Sequence, residues 1–581
     1  MDLTAAPPDR ATPDETAALD ALATAYWDAH LEADPLFATA IGDQRFDDHL
    51  PDPTPEGTAA TRARYRHLLD RVDDLDAGAL AGEARITLSM LRESIASDIA
   101  ELDTGLLDWN VDPIEGVPAM FLLVPDYQRL DTPEDGLRMV ARWRAMAAHT
   151  DRHLGNLRRS LAGGRIASRP PTERTIAILD DLLRDDTAAW PLLAPLRTVT
   201  DQPGWSTSDR ERFAESLQRA VEDEIRPAFV RLRDALVDEI LPRARPAERP
   251  GMGEVPGRPD AYRELIRVHT SLDLEAAEIH RVGLDEIARI DAELTGLAGR
   301  TIGTSSLGDA LSHLRSDPAL HFATRDEVFA KAAWCLARAT EAIPDWFGRL
   351  PEAPCEVVRM GPREEEHSTI AYYRQPATDG SRPGSYYINT SAPTTRPRYE
   401  AESLAYHEAV PGHHLQIAIG QELPHIPEFR RHLGPTAFFE GWGLYTERLS
   451  DEMGLYSGDL DRIGVLSFDA WRAARLVVDT GLHALGWPRD RAIAFMLEHT
   501  ALGPNNITNE VDRYIVLPGQ ALAYKLGQIE MLRLRAEARE RLGDRFDIRG
   551  FHDAMLGSGA VTLPILRGVV EAWATGRQAS A

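Results

Sequence analysis

Apolar residues recur every three or four positions through most of this chain, and that spacing restricts it to helices packed on helices. In ETAALDALATAYWDAHLEA (15–33), Leu19, Leu22, Tyr26 and Trp27 fall on one helical face. The same spacing runs through 58–75, 83–103, 134–162, 173–186, 208–240, 261–297 and 325–348. Two stretches break it. LPRARPAERPGMGEVPGRPDAYR (241–263) holds too much proline and glycine for a continuous helix or a central strand. It sets the expected boundary between an N-terminal helical lobe (1–245) and a second lobe (246–581). CEVVRM (355–360), STIAYYR (368–374) and GSYYINTS (384–391) are short, rich in β-branched and aromatic residues, and bounded by proline or glycine. They predict a small antiparallel sheet at about 355–391. Helices resume at about 398–421, 436–453, 459–486, 489–500 and 507–543, the last interrupted at Pro518. No 30- to 50-residue repeat is visible, so a solenoid is not expected.

A chain of 581 residues is long for one compact core. Its formal net charge, 64 − 92 = −28, argues against nucleic acid and anionic membrane as partners, because both need basic surface. No apolar run approaches the roughly 20 residues that span a bilayer. MDLTAAPPDRATPDETAALDALATAYW lacks the basic-then-apolar order of a secretory signal. Cys335 and Cys355 are the only cysteines, which excludes a disulfide framework, and a reducing, cytoplasmic setting is the expectation. Basic charge is almost all arginine: Lys331 and Lys525 are the only lysines.

The chemistry concentrates in YHEAVPGHHLQ (406–416). Zinc proteases of the common kind carry H-E-x-x-H, two histidines four apart on one helical face. Catalytic zinc takes three nitrogen or oxygen ligands and leaves a position open, and a nearby carboxylate serves as base. His407 and Glu408 fit the first ligand and the base, but the position four after His407 is Pro411. A straight helix would bring His414 back to the face of His407. A bulge at Pro411–Gly412 that absorbs two residues would bring His413 there instead, and the proline–glycine pair favours that arrangement. The third ligand should come from a following helix. AFFEGWGLYTERLSDE (437–452) offers Glu440, 27 residues after His413, among bulky aromatics and glycines. Glu447, seven further on, suits a supporting role at the second ring nitrogen of a ligand histidine.

YHEAVPGHHLQ, FFEGWGLYTE, RAARLVVDTGLH and EVDRYIVLPGQALAYKLG resemble the bacterial family catalogued as domain of unknown function 885, and the similarity extends over nearly the whole chain. The family is taken to be zinc metallopeptidase-like, with H-E-x-x-P-G-H replacing H-E-x-x-H, and looks distantly related to thimet oligopeptidase and carboxypeptidase Taq. The resemblance implies a mainly helical, zincin-like (gluzincin-type) catalytic lobe with the sheet beside the motif helix. It also implies one Zn2+ per chain on His407, His413 and Glu440, with Glu408 as base. Family members often lack histidine at the position of His414, which again favours His413.

EVDRYIVLPGQALAYKLG (510–527) supplies donors for a developing oxyanion. The related peptidases use tyrosine or histidine from a late helix, which selects Tyr524. Arg513, Tyr514 and Lys525 are candidates for substrate binding, Arg513 or Lys525 by holding a carboxylate. His483 is a further candidate for the same cleft. Tyr387 and Asn389 alternate on an expected edge strand that would face the substrate. REEEH (363–367) reads as a solvated loop. EEEH (364–367) and ELPH (422–425) imitate the E-x-x-H pairs of di-iron bundles in letters only, since both sit in loops. The expected function is hydrolysis of short peptides by a zinc-bound water activated by Glu408. Rival readings are a zinc amide or ester hydrolase acting on a small non-peptide molecule, and a binding protein on the same scaffold. The sequence leaves oligomeric state open.

Overall fold

The computed structural model describes residues 13–579 except 258, 362–364, 366–368, 378–379 and 381. It is 72% helical with one three-stranded sheet. The predicted helices stand close to their expected bounds, for example Pro13–Ala33, Glu83–Thr104, Pro133–Ala162, Thr436–Glu452 and Leu522–Leu542. Two differ: the helix expected over 398–421 is broken after Glu408, and the helix expected over 261–297 is two, Ala261–Thr270 and Ala276–Thr301. Ser271 adopts a left-handed conformation (φ 57°) that ends Ala261–Thr270, and its Oγ donates to the Thr270 carbonyl at 2.6 Å. The helices Ile548–Leu556 and Leu563–Ala579 were not anticipated.

The sheet consists of β1 (Cys355–Arg359), β2 (Ala371–Arg374) and β3 (Gly384–Ile388). Their order is β1-β3-β2, with β1 parallel and β2 antiparallel to β3, so the sheet is mixed rather than antiparallel. β3 is therefore the central strand and not an edge. Alternation along it puts Gly384 and Tyr386 toward the motif helices, and Tyr387 on the far face, stacked on Tyr372 at 4.9 Å. Asn389 is buried, donating to the Glu365 and Thr369 carbonyls and accepting from Ser391. Neither residue lies on an edge strand, contrary to expectation. Within REEEH, Glu365 is 4% exposed and accepts from Thr390 N and Oγ1 and from Arg325, so it is not solvated; residues 363, 364, 366 and 367 lie outside the described residues.

One apolar cluster spans buried residues from 111 to 240; in another, residues 19–95 pack with residues 287–570. The sequence boundary at 245 thus follows the first cluster, while the first helices join the second. Within the second, the Asp459–His483 helix is encased: every residue from Ile463 to His483 is buried. A helix buried all round is ordinarily apolar all round. This one carries Asp469, Arg472, Arg475 and Asp479, and each must find partners inside the protein.

Thr436–Glu452 and Leu522–Leu542 approach closely through paired glycines. A Cβ on Gly527 would sit 2.0 Å from the Ala437 carbonyl oxygen, and one on Gly441 would sit 2.6 Å from the Gly527 backbone. Of the described residues, no helix is long and apolar enough to cross a membrane.

Candidate metal centre

Pro411 and Gly412 do more than bulge the motif helix. The helix Ala401–Glu408 stops, and His413–Gln421 begins after a four-residue break at 409–412. The wide turn closes with His414 N donating to the Ala409 carbonyl at 3.0 Å, and Trp442 Nε1 holds the Pro411 carbonyl at 3.0 Å. Gly412 is required by close approach, since a Cβ there would meet the His407 carbonyl oxygen at 1.9 Å.

This break selects between the two adjacent histidines. His414 accepts or donates at both ring nitrogens, Nδ1 to the Tyr373 hydroxyl and Nε2 to the Ala353 carbonyl, each at 3.0 Å. It fastens the second helix to the sheet, in space left by Gly384. His413 turns the other way. Its ring lies 4.6 Å from that of His407 at 81°, and its Nε2 is 3.7 Å from Glu440 Oε2. His407 Nε2 is 3.5 Å from the same oxygen. One ligand atom from each of His407, His413 and Glu440 lies within 4.8 Å of the others.

These spacings suit a cation. Ligand atoms 2.0–2.2 Å from a tetrahedral zinc stand about 3.4 Å apart, close to the 3.5 and 3.7 Å found here. The donor set is two imidazoles and a carboxylate. His407 Nδ1 is 2.8 Å from Glu447 Oε1, an arrangement that fixes the tautomer of a ligand histidine and leaves Nε2 free for the ion. Glu447 is 1% exposed and has the expected supporting position. Gly443 makes room for the ring of His407, because a Cβ there would lie 2.5 Å from its Cε1.

His413 has no such brace. Its buried Nδ1 has no partner among the described residues, and neither has the buried Oε1 of Gln416, one turn along.

Electrostatics follow the crowding of charge. Burial alone would lower His407, but Glu440 and Glu447 outweigh it and raise the group to about 9. Burial and the neighbouring His407 hold His413 down to about 4. Burial pushes the Glu408 carboxyl up to about 7. Tyr524 is raised by burial and then by Glu440, which keeps its hydroxyl neutral and able to donate.

The remaining candidates are engaged elsewhere. Lys525 is 1% exposed and donates to Asp469 (2.5 Å) and Gln528 (2.7 Å), with Glu286 at 3.0 Å, so no donor is left for a substrate. Arg513 is held by Glu510 and Gln520 at 2.9 Å each. Tyr514 is buried, donating to Glu510 and accepting from Trp471 and Arg475. His483 is also buried, accepting from Met252 N and bonding the Tyr514 carbonyl; it braces the fold rather than lining a cleft.

Two residues missing from the sequence reading do lie near the site. Arg472 Nη2 is 3.8 Å from Glu447 Oε1, and the Arg475 guanidinium lies 4.2 Å over the Tyr524 ring. The available signal was charge inside an otherwise apolar helical run.

The solved structures that the chain is similar to include two bacterial proteins. One is called the "putative lipoprotein" from Colwellia psychrerythraea: 25% identity, TM-score 0.89, covering 96% of this chain and 99% of that one. The other, from Shewanella oneidensis, is called a "putative lipoprotein of unknown function": 18% identity, TM-score 0.74, covering 95% and 99%. No curated protein matches. Residues 35–570 match the family described as bacterial protein of unknown function (DUF885), and the chain belongs to that family.

Proposed function

We propose that this chain is a zinc-dependent hydrolase of short peptides, with a zincin-like arrangement in which His407, His413 and Glu440 hold one Zn2+. The observation that carries the reading is the convergence of those three side chains, with Glu447 behind His407 and Glu408 next to it in the chain. Zinc in that position would supply electrophilic polarisation and a lowered pKa for water. The other parts of the reaction fall to the protein. Glu408 accepts a proton from the attacking water and delivers it to the leaving nitrogen as the carbon–oxygen bond forms and the carbon–nitrogen bond breaks. Tyr524 donates to the oxygen on which negative charge develops. Glu447 keeps the His407 ring oriented.

The test uses purified protein with its metal content measured. Di- to hexapeptides are offered beside acylated small molecules, and Glu408→Gln is compared with the natural chain. The expected result is about one zinc per chain in both proteins, peptide cleavage by the natural chain, and a loss of at least about 100-fold in Glu408→Gln. Cleavage confined to the small molecules would replace the substrate class. Full activity in Glu408→Gln would remove it as the base, and absence of metal would leave a binding protein.

A further inference from the structure

Arg472 and Arg475 sit one turn apart on the encased helix, with side chains only 5% and 4% exposed. A buried guanidinium is costly unless its N–H groups are matched by acceptors. Here the matching is incomplete. Arg475 donates from Nε to the Tyr514 hydroxyl at 2.9 Å and from Nη2 to Glu510 at 3.0 Å, while its Nη1 has no partner among the described residues. Glu510 is itself divided, accepting also from Arg513 and Tyr514. Among the described residues the one hydrogen bond of Arg472 is a long one to the Phe468 carbonyl at 3.4 Å; its guanidinium lies over the Phe468 and Trp471 rings, and its Nε has no hydrogen-bond partner. Its nearest carboxylate, Glu447, is committed to His407.

Three guanidinium groups therefore share Glu510 and an occupied Glu447. The Arg475 guanidinium lies 4.2 Å over the Tyr524 ring, and Arg472 Nη2 is 3.8 Å from Glu447, the carboxylate behind His407. A planar anion with two acceptor oxygens matches a guanidinium fork. A short peptide carries such a group at its C-terminus, one or two residues from the bond to be cut.

We propose that Arg475, assisted by Arg472, anchors the terminal carboxylate of the substrate beside the metal ligands, so that peptides are trimmed from the C-terminal end. The inference rests on the peptidase reading above and deepens it. It moves the carboxylate anchor from Arg513 and Lys525, which are already paired, to the two arginines that each keep one nitrogen without a hydrogen-bond partner among the described residues.

The test compares matched N-acylated di- to tetrapeptides, each as free acid and as C-terminal amide, with zinc-loaded natural protein. One amidated member carries glutamate after the scissile bond. Removing one partner of a buried charge pair costs enough that the acids should be preferred by about 100-fold in kcat/KM, mostly through KM. Arg475→Gln should bind zinc normally and bring the acid-to-amide ratio close to one. Should that variant fail to fold, the matched pairs on the natural protein still decide. Equal cleavage of acids and amides would overturn the anchor and leave the peptidase reading intact. Rescue of the amide series by the glutamate side chain would overturn C-terminal trimming. Failure to cleave any member, by protein carrying zinc, would overturn both readings together.

Discussion

Gly443→Ala tests whether the pocket for His407 is shaped as described. The added methyl would lie 2.5, 2.8 and 2.9 Å from Cε1, Nδ1 and Nε2 of the ring, against its face. Ordinary contact lies near 3.6 Å, so the ring must retreat by about 1 Å. It has little freedom to do so, because Glu447 holds Nδ1 at 2.8 Å and the backbone is pinned under Gly412. Metal sites tolerate about 0.2 Å. The substitution should cost about 1–3 kcal/mol through overpacking and weaken zinc binding about 10- to 100-fold. Two other glycines serve as comparisons. Gly441→Ala strikes the Gly527 backbone at 2.6 Å and should lower stability with or without zinc, by forcing two helices apart. Gly420→Ala meets nothing within 4 Å and should stabilise the helix by about 0.5–1 kcal/mol. Zinc affinity by chelator competition and unfolding midpoints of the zinc-free proteins separate the three. Natural zinc affinity in Gly443→Ala would refute the proposed position of His407.

Gln416→Leu tests whether Gln416 steadies His413, one turn away, whose Nδ1 also lacks a partner among the described residues. Zinc affinity should fall about tenfold while the zinc-free midpoint changes little, because the lost oxygen has no partner among the described residues; unchanged affinity would show that Gln416 does not steady His413. Burial would raise Asp469, but Lys525 and Arg448 hold its carboxyl well below the usual range. Its contribution to stability is therefore complete above the unfolded value of about 4 and declines as pH falls from there toward the folded value. Asp469→Asn should cost about 3 kcal/mol at pH 7 in urea unfolding and show a shallower loss in acid than the natural chain. Equal acid slopes would sink that assignment.

Helix positions were legible because periodicity is local, and a dozen residues suffice to display a face. Sheet order was not. Short strands in sequence suggest hairpins, yet β1 skips β2 to pair in parallel with β3, an arrangement fixed by connections and by what the helices cover. The same limit governs the misplaced substrate residues. Arg513 shows its charge in sequence, and Glu510 three positions earlier could have indicated its pairing. Lys525 could not be read that way, since Asp469 lies 56 positions away.

The choice between His413 and His414 shows where local reasoning becomes decisive and where it stops. Pro411 and Gly412 announce that the helix cannot run straight, but the removal of His414 from contention depends on Tyr373 of β2 and on Ala353, just before β1. The segment Glu440–Gly443 combines both kinds of constraint. Glu440 needs a helical face toward the two imidazoles, while Gly441 needs the neighbouring helix at backbone distance and Gly443 needs a ring pressed on its Cα. These demands come from different directions around one helix, so a change that spares the carboxylate can still abolish the site. Function here is therefore set as much by residues that offer no functional group as by those that do.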